Sequence, residues 1–181
     1  MEKFKLEYIW LDGYTPVPNL RGKTMIREFS AFPDFEQLPL WGFDGSSTEQ
    51  ATGDASDCVL QPVFTCPDPL RGGKNILVLC EVLLASTGKP HPTNTRAACA
   101  EASKKFSAHQ MIYGIEQEYT FMRLNGRPFG FPETDGEPGP QGPYYCGVGA
   151  GRVMGRDIIE EHTWACMEAG LLIEGTNAEV M

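Results

Sequence analysis

The sequence predicts an α+β chain, on three observations. Apolar patterns of strand type crowd the first ninety residues, helical patterns begin only after them, and the proline-containing stretch "STGKPHPTNT" (86–95) divides the two regions. Strands followed by helices read as α+β or as separate domains. The expected organisation is one domain over residues 1–90 and the first part of a second over residues 91–181.

"KLEYIWLD" (5–12) mixes aromatic and β-branched residues and reads as a strand. "GYTPVPNLRG" follows as a loop and "KTMIREFS" as a second strand, so that the two make a hairpin. "DCVLQPVFT" (57–65) and "NILVLCEVLL" (75–84) read as two further strands, with "CPDPLRGGK" as the turn between them. In the last of these Ile76, Val78, Cys80 and Val82 share one face. Leu77, Leu79 and Leu83 are also apolar, which suits a strand buried on both sides.

Pro90 and Pro92 stop regular structure and favour an extended link. "NTRAACAEASKKFSAH" (94–109) then reads as a helix capped by Asn94 or Thr95. "MIYGIEQEYTFMRL" (111–124) reads as a long strand, and the "NGRP" after it is a hairpin signal. "FGFPETDGEPGPQGPYYCGVGAG" (129–151) holds too much Gly and Pro for regular structure and reads as a long ordered loop or lid. "GRDIIEEHTWACMEAG" (155–170) is a helix by the spacing of Ile158, Ile159, His162, Cys166 and Met167, with Gly170 as its stop. "LLIEGTNAEVM" (171–181) begins a strand directly before the last residue, with no polar tail or turn. That ending reads as a fragment.

The formal net charge of −9 argues against non-specific binding to nucleic acid or to an anionic membrane surface, both of which need clustered Lys and Arg. "MEKFKLEYIW" lacks the unbroken apolar stretch of a signal peptide, and the longest apolar run, Ile76 to Cys80, is far too short to span a membrane. The six cysteines, Cys58, Cys66, Cys80, Cys99, Cys146 and Cys166, include no CxxC pair. They read as reduced, small buried hydrophobes of a cytoplasmic protein rather than as disulfides.

Two features suggest chemistry. The acidic stretch "FDGSSTEQATGDASD" (43–57) lies between the apolar "LPLWG" and "CVLQPVF". On the predicted strand, Glu116 and Glu118 face the same side roughly 7 Å apart. At an effective dielectric near 20 they repel by on the order of 2 kcal/mol. A hard divalent cation relieves that repulsion, and so does solvent at a polar sheet edge. Glu179 adds a third carboxylate in a strand pattern, and the two readings stay open on the residues alone.

Taken together, "FDGSSTEQATGDASDCVL", "YGIEQEYTF", "GPQGPYYCGVGA" and "EGTNAEVM" resemble glutamine synthetase, and "KLEYIWLDG" fits as well. The likeness is closest to the class shared by eukaryotes and some bacteria, type II. It runs from about Lys5 to Met181 and corresponds to the first half of a family member.

The resemblance implies a β-grasp N-terminal domain followed by the beginning of a catalytic domain built on a curved antiparallel sheet. It implies ATP-dependent formation of L-glutamine from L-glutamate and ammonia through γ-glutamyl phosphate, with Mg²⁺ or Mn²⁺ as cofactor. It also implies active sites between subunits of a homo-oligomer, a double ring of five subunits each. Residue by residue, Glu116 corresponds to a ligand of the ion nearer the nucleotide phosphates, and Glu118 and Glu179 to ligands of the ion nearer glutamate. Asp44, in "DGSS", corresponds to a residue presented to a neighbouring subunit's site, where it binds ammonium and takes its proton.

The family pattern continues past Met181 with a further glutamate, a histidine ligand, a nucleotide-binding segment and arginines. His91, His109 and His162 do not match that histidine, and His162, within a helix, reads as a packed or surface residue. The 181-residue chain alone is therefore expected to be inactive. The alternative is a naturally short, non-catalytic relative acting as an interaction or regulatory module.

Overall fold

Phe4, Leu6, Tyr8 and Trp10 alternate with Lys3, Lys5, Glu7 and Ile9, so one face of the first strand is apolar and buried. A computed structural model describes residues 1–134 and 136–179. These group into two units, Met1–Ile112 and Tyr113–Met181.

The first unit is a mixed five-stranded sheet. β1 (Glu2–Leu11) forms the expected hairpin with β2 (Leu20–Phe29), in the register Leu6↔Met25. Asp12 closes its loop, accepting from the backbone N–H groups of Tyr14 and Asn19, from Asn19 Nδ2 and from Arg21 Nε. β3 is Trp41–Asp44, β4 is Asp57–Pro67 and β5 is Asn75–Leu84. The spatial order is β2-β1-β5-β4-β3, with β1 and β5 parallel and the other pairs antiparallel.

Ile76, Val78, Cys80 and Val82 of β5 are buried on one face, as the alternation predicts, while Leu77 and Leu79 opposite are half-buried. They pack with the buried face of β1, with Cys58 and Leu60 of β4, and with Leu38 and Phe43. Full burial of Leu6, Leu60, Ile76 and Val78 stabilises the unit by about 1.5–3 kcal/mol for each side chain. The register of β4 on β5 shifts between Pro62 and Phe64, past the last β3 pairing at Leu60, where a residue without an N–H leaves no bond to β3 unmade.

α1 (Thr95–Lys105) starts at Asn94, whose side chain accepts from the Ala97 N–H. It ends earlier than the sequence predicts. A 3-10 turn, Ser107–His109, follows it, and Gln110 closes that turn in the left-handed region at φ 47°.

In the second unit, α2 (Arg156–Glu168) matches its prediction, with Gly170 at φ 76° just beyond it. Ile159 and Cys166 are half-buried along it, whereas Ile158, His162 and Met167 are exposed. The start of α2 crowds the Phe121 ring, which lies 2.7 Å from where a Cβ on Gly155 would sit.

The predicted strand 111–124 does not form. Residues 111–121 join no ladder, and beyond them there is one bridge, Met122↔Pro128. The "NGRP" turn does form, with Gly126 at φ 80° and the Phe129 N–H donating to the Phe121 carbonyl. The strand predicted over 171–181 is likewise absent over 171–179, and Val180 and Met181 lie outside the described residues. Apolar alternation makes a strand only where a neighbour supplies the other half of the ladder, and no described segment does so here. The same-face spacing of Glu116 and Glu118 therefore loses its basis. The cysteine expectation needs correcting too: Cys58 and Cys80 are buried, but Cys99 and Cys146 are exposed. Among the described residues, no helix is long and apolar enough to cross a membrane.

Candidate functional site

Asp44 is the last residue of β3, paired with Asp57, and caps the 3-10 turn Gly45–Thr48. Ser46 donates both its backbone N–H and its hydroxyl to Asp44 Oδ1. The Ser46 hydroxyl and then its N–H hold the exposed Asp44 carboxyl below its ordinary range against an opposing effect of burial, with a lesser contribution from the Ser56 side chain. Gly45 is required by close approach, since a Cβ there would lie 2.7 Å from Cys58 Sγ and 3.0 Å from Ala51 Cβ. The product is a charged carboxylate at a fixed sheet edge.

The other predicted residues belong to the second unit. Glu116, Glu118 and Glu179 are exposed. Asn177 Nδ2 donates to Glu179 Oε1 at 2.6 Å, and Gln117 Nε2 donates to the Glu118 backbone carbonyl. The Cys146 N–H donates to the Ala178 carbonyl at 2.8 Å, which holds residues 145–146 beside 178–179. The neighbouring Cys146 thiol, then Glu179, burial and Glu116, push the Tyr145 phenol above its ordinary range. Glu179 and Glu116 thus both bear electrostatically on the Tyr145 phenol. Among the described residues no group of three His, Cys, Asp or Glu side chains is placed to hold a metal ion. Tyr119 Oη lies 2.9 Å from His162 Nδ1, tying residue 119 to α2.

Residues 2–85 match the family described as the glutamine synthetase β-grasp domain. Over 179 residues, 98% of this chain and 51% of the relative, it is 59% identical to a glutamine synthetase of Streptomyces viridochromogenes. The chain belongs to the glutamine synthetase family. Its identity to the glutamine synthetase of Bradyrhizobium diazoefficiens is 56% over 182 residues, 99% of the chain and 50% of the relative. Against that of Schizosaccharomyces pombe it is 50% over 179 residues, 99% of the chain and 48% of the relative. The chain spans about half the length of the curated relatives it matches.

Within the glutamine synthetase β-grasp domain, the mixed sheet displays the Asp44 turn at its β3 edge. Sequence reasoning missed Ser46 as the partner of Asp44, although an Asp followed two residues later by Ser is an Asx-turn signature. It also missed Tyr145, because nothing in "GPYYCGVG" signals an influence from residues about thirty positions away on either side.

Proposed function

We propose that this chain is the N-terminal half of an ATP-dependent glutamate–ammonia ligase of the type II class, which forms L-glutamine through γ-glutamyl phosphate. The observation that carries the proposal is Asp44, an exposed carboxylate held charged by Ser46 on the β-grasp domain of a glutamine synthetase relative. A carboxylate of lowered pKa attracts and orients ammonium strongly but is a weak base. Asp44 would therefore bind the cation in a neighbouring subunit's site more than it would drive the loss of its proton.

Glu116, Glu118 and Glu179 would hold Mg²⁺ or Mn²⁺. Exposed carboxylates are the hard oxygen donors such ions take, and the charges of Glu116 and Glu179 both bear on the Tyr145 phenol. The ions, when bound, would neutralise charge on the phosphates of ATP during phosphoryl transfer. The rest of the ligand set, the nucleotide segment and the arginines would come from the length that the relatives have and this chain does not span. We place the domain boundary at residues 90–91, the active protein in a homo-oligomeric double ring, and its location in the cytoplasm.

Glutamine formation from glutamate, ammonia and ATP tests this reading. It should be absent for the 181-residue chain and present for a protein in which the chain is continued to its relatives' length. No turnover by the continued protein overturns the proposal, and turnover by the short chain overturns its division of labour.

A further inference from the structure

The turn that carries Asp44 rests on a closed set of buried polar groups. Thr48, Gln50 and His91 are at most 7% exposed. His91 follows β5 between Pro90 and Pro92, and its backbone N–H donates to the Val82 carbonyl at 2.9 Å. Its ring Nε2 lies 2.5 Å from the Gln50 carbonyl oxygen, and its Nδ1 lies 2.8 Å from Thr93 Oγ1. A carbonyl only accepts, so Nε2 carries the proton and Nδ1 offers its lone pair. Nδ1 accepts from the Thr93 hydroxyl and from the Thr93 N–H at 3.2 Å. Gln50 Nε2 donates to Thr93 Oγ1 and to the Leu11 carbonyl, while Gln50 Oε1 accepts from the Thr48 hydroxyl.

We propose that His91 is a positioning residue for Asp44, acting through Gln50 to fix the turn that presents the carboxylate. The route consists of direct contacts. His91 Nε2–H bonds the Gln50 carbonyl, the Gln50 N–H donates to the Gly45 carbonyl at 2.9 Å, and Gly45 is bonded to Asp44. The turn also needs outside support, because Glu49 is held in the left-handed region at φ 56°, which costs a non-glycine residue energy. Without the ring, the buried Gln50 carbonyl keeps only the long, weak contact from the Cys58 thiol at 3.9 Å, Thr93 loses its acceptor, and the turn is released. The same histidine is anchored to β5 through its own backbone, so the sheet core and the Asp44 turn move as one body. The inference rests on the reading of Asp44 as the ammonium-binding carboxylate.

Amide hydrogen exchange on the 181-residue chain is the first test. His91→Ala should accelerate exchange at Gln50 and Ala51 by roughly tenfold or more, while β1 and β5 keep their protection. His91→Gln, whose side-chain amide can donate to the Gln50 carbonyl, should restore most of it. If His91→Ala does not fold, Thr93→Val, which removes the hydroxyl bonded to both His91 Nδ1 and Gln50 Nε2, replaces it. In a protein continued to the relatives' length, His91→Ala should raise KM for ammonia by about tenfold and leave KM for ATP within about twofold. Asp44→Ala serves as the control. Unchanged exchange, or faster exchange with an unchanged ammonia KM while Asp44→Ala raises it, overturns the role of His91. An ammonia KM unmoved by Asp44→Ala overturns the reading of Asp44 instead.

Discussion

Ser46 donates two hydrogen bonds to a single oxygen of Asp44, at 2.9 Å from its amide and 2.6 Å from its hydroxyl. Both favour the charged carboxylate, so the folded pKa lies below the unfolded one. The stabilisation is therefore present above the ordinary carboxylate range and is lost as pH falls through the lowered value. Ser46→Ala should move the Asp44 titration upward, read by carbon NMR of the carboxyl group against pH. An unchanged titration would show that the hydroxyl bond contributes nothing.

Asp44→Asn keeps an acceptor for Ser46 and removes the charge. In a protein continued to the relatives' length it should raise KM for ammonia by more than about tenfold, with ATP affinity little changed. Equal losses for both substrates would count against Asp44 as the ammonium-binding group.

Gly13 donates its N–H to the Thr48 carbonyl, and a Cβ at that position would sit 2.2 Å from the Glu49 carbonyl oxygen. Both atoms within 3.0 Å of that Cβ belong to the Glu49 backbone, so no flexible side-chain end can give way. Gly13→Ala should cost about 1–3 kcal/mol in urea denaturation and perturb the amide signals of Thr48, Glu49 and Gln50. A wild-type denaturation midpoint would show that the loop gives way after all.

Burial alone would raise the Asp12 carboxyl, but hydrogen bonds from Asn19, Tyr14 and Arg21 outweigh it and bring the group down to about 2. Its contribution to stability is complete above the ordinary carboxylate value of about 4 and disappears as pH falls toward 2. Asp12→Ala should lower Tm at neutral pH by on the order of 5–10 °C, a difference that shrinks on acidification. A Tm difference independent of pH would assign the loss to packing instead.

Tyr145 reports on the carboxylates around it. Glu179→Gln and Glu116→Gln should each bring its titration down, read by phenolate absorbance, because each removes a nearby negative charge. Added Mg²⁺ should do the same in the native chain and have no effect in the double variant. If Mg²⁺ leaves the phenol unmoved at millimolar concentration, these two carboxylates do not hold an ion by themselves.

What could be read from the sequence divides by whether the determinant was local. "NILVLCEVLL" gave β5 its bounds because alternation and β-branching are carried by the segment itself, and Asn94 gave the start of α1 for the same reason. β3 was not visible: its four residues make a strand only through their pairing with Asp57–Leu60 of β4. The predicted strands at 111–124 and 171–181 failed in the opposite sense, with the pattern present and no partner described. Asp44, Glu116, Glu118 and Glu179 are candidates through motifs that their own segments carry. Gln50, His91 and Thr93 carry no motif and become a unit only where distant segments meet.

β1 sits between β2 and β5, and its partner on the second side, Asn75–Leu79, emerges from the ribosome long after it does. Until then the hairpin displays Phe4, Leu6, Tyr8 and Trp10 together with a bare strand edge. Parallel pairing over that separation is a slow, late step of folding. Synthesis that pauses before residue 84 would thus leave a sticky hairpin in need of a chaperone, and the passage of β5 marks the moment at which this chain becomes safe to release.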